Sequence, residues 1–212
     1  MSSDPRSPAR HAPDKSPRRK PRSGGVQPAV ERLLSPNLSP RPIALVGLMG
    51  VGKTTVGRRL AKRLGWLHFD SDHEIETASG RTVAGYFRDH GQEAFRAGER
   101  RVIERLLREH TSMILSTGGG AFIPEDTRKL LLGGATTVWL KGDLDTIMSR
   151  VSKRDTRPLL QVADPRAKMA ELMAERYPLY GLADVTVNIA RGPHMRTVNR
   201  VLKALTEHEA KR

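Results

Sequence analysis

The chain has 212 residues, with 37 Lys and Arg against 23 Asp and Glu (net +14), and no cysteine. That length suits one domain plus an extension, and the lack of cysteine excludes disulfides, thiolate metal sites and cysteine nucleophiles. No apolar run approaches the roughly 20 residues of a membrane span, so a cytoplasmic protein without membrane partners is expected.

Residues 1–42 hold nine of the 14 prolines and nine basic residues against three acidic ones, which is +6 of the total charge. Such a segment cannot bury enough apolar surface to offset ordering, so residues 1–40 are read as a disordered basic extension, with a domain over 41–212. Three roles for the extension are open. It could be a solvated tail, bind phosphate backbones weakly through Arg18-Arg19-Lys20, or be a targeting peptide. It has no aromatic residue to stack bases, and Asp4 and the prolines oppose an amphipathic helix.

From residue 43 short apolar runs alternate with helical periodicities. Strands are predicted at 43–46, 67–69, 112–116, 136–140 and 185–189. Helices are predicted at 53–64, 72–90 (broken in the middle), 92–110, 125–132, 143–153, 166–180 and 195–208. This alternation predicts a parallel sheet covered on both faces by helices, with ligands at the carboxyl ends of the strands.

The first strand leads into Gly47-Leu48-Met49-Gly50-Val51-Gly52-Lys53-Thr54-Thr55, which satisfies G-x-x-x-x-G-K-[ST] between a strand and a helix. In such a P-loop the backbone N–H groups turn onto phosphate oxygens and the helix N-terminus adds partial positive charge. Gly50, Val51, Gly52, Lys53, Thr54 and Thr55 are therefore candidate nucleotide contacts. Lys53 would reach the β- and γ-phosphates and the Thr54 hydroxyl would ligate Mg²⁺.

Asp70-Ser71-Asp72 follows the second strand, where an acceptor-side carboxylate belongs, although Ser71-x-x-Glu74 also reads as a capping box. Thr117-Gly118-Gly119-Gly120-Ala121 follows the third strand and would let backbone approach a ligand closely. Arg96, early in helix 92–110, opposes the macrodipole and so suggests an anionic partner. Residues 152–165, with Arg154 and Arg157, read as a mobile lid that would exclude water during transfer. There is no Asn-Lys-x-Asp guanine motif and no zinc spacing.

With these motifs in place the chain resembles the shikimate kinases, in the nucleoside-monophosphate-kinase-like group of P-loop α/β/α folds with a five-stranded parallel sheet. The resemblance covers residues 41–207 and rests on the P-loop, Phe69-Asp70-x-Asp72, Phe95-Arg96-x-x-Glu99, Ser116-x-Gly118-Gly119-Gly120, Arg157-Pro158-Leu159-Leu160 and Arg176-x-Pro178-Leu179-Tyr180. It implies transfer from ATP to the 3-hydroxyl of shikimate, on the route to chorismate and the aromatic amino acids. Lys53, Asp72 and Arg157 would be catalytic, with Asp72 holding the ring hydroxyls and serving as candidate base. Arg96 and Arg176 would pair with the carboxylate, and Gly118, Gly119 and Gly120 would meet the ring through backbone. Arg157 would approach the ATP phosphates and Arg191 the adenine. One Mg²⁺ per subunit would be held directly by Thr54 and through water by Asp70 and Ser116. A monomer is expected, with no nucleic-acid partner. The alternatives are a gluconate-type kinase of the same fold, and a nucleotide-gated nucleic-acid-binding protein that uses the basic tail.

Overall fold

The computed structural model describes residues 41–151, 160, 162–189 and 192–211. The extension 1–40, the lid residues 152–159 with Arg154 and Arg157, and Arg191 therefore lie outside the described residues.

Five strands form one parallel sheet: β1 (Ile43–Val46), β2 (Leu67–Asp70), β3 (Met113–Ser116), β4 (Thr136–Lys141) and β5 (Val185–Asn188), in the order β2-β3-β1-β4-β5. The central strands β1 and β3 are buried at every position, as expected of unbroken apolar runs covered on both faces. Edge strand β5 alternates buried and exposed residues, the period-2 signature of one solvated face. The described helices are α1 (Lys53–Leu64), α2 (Ser71–Ser79), α3 (Val83–Glu109), α4 (Glu125–Gly134), α5 (Leu144–Val151), α6 (Pro165–Tyr180) and α7 (His194–Glu209). The expected three-layer α/β fold is therefore present.

Local chemistry sets the element ends. α1 buries Val56, Leu60, Ala61 and Leu64, and stops at Gly65, a left-handed cap whose N–H reaches the Ala61 carbonyl. The break expected inside 72–90 falls at Gly80, which is left-handed, and Thr82 then caps α3 through Gly85 N–H. The predicted boundary between residues 90 and 92 is present: Gly91 is non-helical (φ 78°, ψ 173°), and α3 is two helical segments that meet at this kink.

The capping-box expectation is corrected. Asp70, not Ser71, is the N-cap of α2, and its carboxylate accepts the Asp72 N–H at 3.2 Å. Strand β2 runs one residue further than predicted, so Asp70 both closes the strand and opens the helix. The Ser71 hydroxyl is thereby freed for a long-range partner.

Register places the strand ends level. Leu45 and Asp70 both pair with Ser116, and Val46 pairs with Trp139. The chain leaving β3 is tied to β1 by Thr117, whose N–H and hydroxyl both donate to the Leu45 carbonyl, at 3.2 and 3.0 Å. At the other side of the sheet, Asp184 accepts the Thr137 N–H and hydroxyl at 2.7 Å each and returns its own N–H to that hydroxyl at 2.9 Å. The loops after β1, β2 and β3 thus emerge at one edge, from neighbouring strands.

Candidate active site

The P-loop wraps the start of α1. Gly47, Gly50 and Gly52 take φ of 133°, 84° and 95°, a region that favours glycine, and Gly52 is the N-cap of α1 without any side-chain cap. No side chain caps this turn, and a helix N-terminus of this kind attracts anions. Lys53 is 8% exposed and its ammonium donates to the Gly47 and Leu48 carbonyls at 2.7 and 3.0 Å. The cation is thus held within the curl of the loop. Thr55 lies in the same first turn.

Two oxygen donors stand beside it. The Thr54 hydroxyl donates to Asp70 Oδ2 at 2.7 Å, so the hydroxyl expected on Mg²⁺ and the carboxylate expected behind it are neighbours. Ser116, buried at the end of β3, has its hydroxyl 3.0 Å from His68 Nε2. Burial holds the His68 imidazole below its ordinary pKa, against the Asp70 carboxylate, which favours its charged form.

On the acceptor side the Gly118-Gly119-Gly120 turn is packed by charged side chains. A methyl group built on Gly118 would lie 2.7 Å from both Asp72 Oδ1 and Glu99 Oε1, so these oxygens are at most about 5.4 Å (twice 2.7) apart. One built on Gly120 would collide with the Arg96 guanidinium, with Cζ at 2.9 Å. The Ser71 hydroxyl accepts the Gly118 N–H at 2.8 Å, and the Tyr180 hydroxyl donates to the Gly119 carbonyl.

Arg96 forms an ion pair with Glu99, which is 1% exposed, and lies over the Phe95 and Phe87 rings at 5.4 and 6.0 Å from their centroids. Arg176, one helical turn before Tyr180, faces the Tyr180 hydroxyl. Its buried Nε has no hydrogen-bond acceptor among the described residues, and neither has Glu99 Oε1 a donor. Arg96 thus borders Gly120, and Arg176 is linked to the turn through the Tyr180 hydroxyl.

Burial first, and the Asp70 charge second, raise the Asp72 carboxyl above the ordinary aspartate range, against the opposing pull of Lys53 and Arg96. Glu99 is raised as well, chiefly by burial, although Arg96 opposes the shift.

The structure thus brings together Lys53, Thr54, Asp70, Asp72, Arg96, Gly118, Gly119 and Gly120 at the carboxyl ends of β1, β2 and β3 and on α3, with Arg176 on α6 joined to them through Tyr180. Four residues outside the expected set join them. Ser71 was read only as a cap, Glu99 only as a motif member, and Tyr180 only as the end of a motif. Arg150 carried no local signal. Its Nη1 donates to the Val51 carbonyl at 2.8 Å, and it lies beside Gly52 together with His194. Of the expected lid, Leu160 is buried in the core, and Asp164 caps α6 by accepting the Arg166 and Ala167 N–H groups.

Fold and motifs together define a P-loop NTPase-like α/β protein of the nucleoside-monophosphate-kinase-like kind, with the P-loop and the glycine turn at one edge of the sheet. The shikimate kinase family model matches residues 49–206. The shikimate kinase of Rhodopseudomonas palustris is 47% identical over 81% of this chain and 84% of its own, and that of Mesorhizobium japonicum is 48% identical over the same shares. Among solved structures, shikimate kinase from Acinetobacter baumannii in complex with shikimate is 36% identical with TM-score 0.74, covering 79% of this chain and 93% of that one. The chain belongs to the shikimate kinase family. A gluconokinase from Sinorhizobium meliloti is 18% identical with TM-score 0.53 and shares the fold alone; the gluconate-type alternative is not favoured.

Proposed function

We propose that this chain transfers the γ-phosphoryl group of ATP to the 3-hydroxyl of shikimate, releasing ADP and shikimate 3-phosphate for aromatic amino-acid synthesis. The observation that supports the residue assignments is Arg96 packed against Gly120, with both Arg96 and Arg176 acting on the Tyr180 hydroxyl that bonds Gly119, beside the buried Asp72 carboxyl.

Two guanidinium forks suit one planar carboxylate, and the Arg176 Nε, 3.7 Å from Glu175 Oε1 but without a hydrogen bond, could donate to a bound carboxylate. Gripping the carboxylate aims the ring hydroxyl, converting encounter into orientation. Asp72 is the group placed to take the hydroxyl proton, and its raised pKa makes it a better base than an ordinary aspartate. Glu99 fixes Arg96, and Ser71 fixes the Gly118 N–H. Lys53 and the N-terminus of α1 would hold the transferred phosphate.

The donor set fits Mg²⁺. The Thr54 hydroxyl and Asp70 carboxylate are hard oxygen donors, and the described residues contain no cluster of three or more His, Cys, Asp or Glu that could hold a metal by itself. Magnesium binds in that way, through one or two protein oxygens, water and phosphates. Thr54 would hold it directly, with Asp70 and Ser116 behind water, and it would neutralise charge on the phosphates. As part of the same proposal, Arg157 would approach the phosphates and Arg191 the adenine.

ADP release measured with shikimate and with gluconate tests the reading. Shikimate-dependent turnover is expected, and its absence would overturn it.

A further inference from the structure

Within the reading above, every carbonyl of the glycine turn has its own donor. The Gly118 and Gly120 carbonyls accept the Ala121 and Ile123 N–H groups at 3.2 Å each. The Gly119 carbonyl between them accepts from the Tyr180 hydroxyl. Tyr180 is 1% exposed, stacked on Trp139 and Phe122 with ring centroids 6.0 and 6.2 Å away. Phenylalanine would fill that space without bringing a hydroxyl into an apolar core, where a polar atom is costly unless bonded. The same hydroxyl faces Arg176, which stands four residues earlier and therefore on the same face of α6.

We infer that Tyr180 is a positioning residue of the acceptor site, whose hydroxyl sets the Gly119–Gly120 peptide and the Arg176 guanidinium as a single unit. Without that donor the Gly119 carbonyl is left without a partner. A peptide between two glycines then rotates at little steric cost. Rotation turns the Gly120 N–H away with it, so the ring-contacting backbone and the carboxylate grip lose their common reference. Burial pushes the Tyr180 hydroxyl well above the ordinary tyrosine pKa, with Arg176 opposing, so it remains a donor across the working pH range.

The test is Tyr180→Phe, which removes one oxygen and keeps the ring, with KM for shikimate and for ATP measured well below the variant's own Tm. The expected result is a shikimate KM raised about tenfold and an ATP KM within about twofold of the unsubstituted chain. In an Arg176→Ala background the same substitution should change shikimate KM less than about threefold, because two members of one unit do not add. A residue that merely fills the core would move both KM values together and act additively. Either of those results, or an unchanged shikimate KM in Tyr180→Phe, overturns the inference while leaving the proposed activity standing. Absence of shikimate turnover in the unsubstituted chain would overturn both.

Discussion

Gly120→Ala is the most direct probe of the acceptor grip, because it moves Arg96 without touching its charge. Gly120 does not have a positive φ, so the backbone accepts alanine. The obstacle is steric. The added methyl would overlap the Arg96 guanidinium, with Cζ at 2.9 Å and Nη1 at 3.2 Å, both inside ordinary contact. Arg96 cannot retreat freely, since Glu99 holds it from one side and the Phe95 and Phe87 rings from another. The guanidinium must therefore shift and lose its alignment with the substrate carboxylate. A charge-assisted hydrogen bond of this kind contributes about 1.5–3 kcal/mol, so shikimate KM should rise between about 10- and 150-fold. ATP KM should stay within about twofold, because the P-loop contacts of Lys53 are untouched. Steady-state kinetics with each substrate varied in turn give both values. A shikimate KM within twofold of the unsubstituted enzyme would show that the Arg96 position does not set acceptor binding.

Lys53→Ala should nearly abolish turnover, since it removes the cation held by the Gly47 and Leu48 carbonyls; near-normal kcat would refute its phosphate role. Asp72→Asn should lower kcat about 10²-fold or more if Asp72 is the base. The raised Asp72 pKa also carries a sign for stability. The folded state binds this proton more readily than the unfolded state. The unfavourable contribution is therefore absent below the unfolded pKa and sets in as pH rises through the folded pKa. Asp72→Asn should consequently raise Tm at neutral pH, with the gain vanishing in acid, and thermal melts from pH 4 to 8 that show a constant difference would contradict this. Arg176→Ala should raise shikimate KM far more than ATP KM, and the reverse pattern would move Arg176 to the nucleotide.

The donor half of the site was legible because its chemistry is contiguous: strand, glycine loop, lysine and helix lie within residues 43–64. The acceptor half was legible as types and order of residues, but not as contacts. Ser71 shows why. Local spacing made it a cap, yet its hydroxyl serves Gly118, 47 residues away, and Asp70 takes the capping role because strand and helix share that residue. Glu99 reads only as a motif member, with no sign of its partner, until α3 packs it to 1% exposure beside Arg96. Arg150 was hidden for a related reason. Nothing in 143–153 distinguishes it from a surface arginine until the fold lays α5 against the P-loop.

The chain's two tryptophans occupy very different places. Trp139 lies in β4, its Cδ1 3.3 Å from where a side chain on Gly47 would begin, and its ring is stacked with Tyr180 and edge-on to Tyr177. Trp66 sits at the opposite end of the strands, just before β2. An ultraviolet-excited reporter thus touches both the P-loop, at Gly47, and Tyr180, whose hydroxyl bonds the glycine turn, while the other tryptophan stands at the far end of β2. Replacing Trp66 by Phe would leave a single tryptophan, whose emission should change on adding ATP or shikimate in a titration without turnover; emission unchanged by either ligand would refute this.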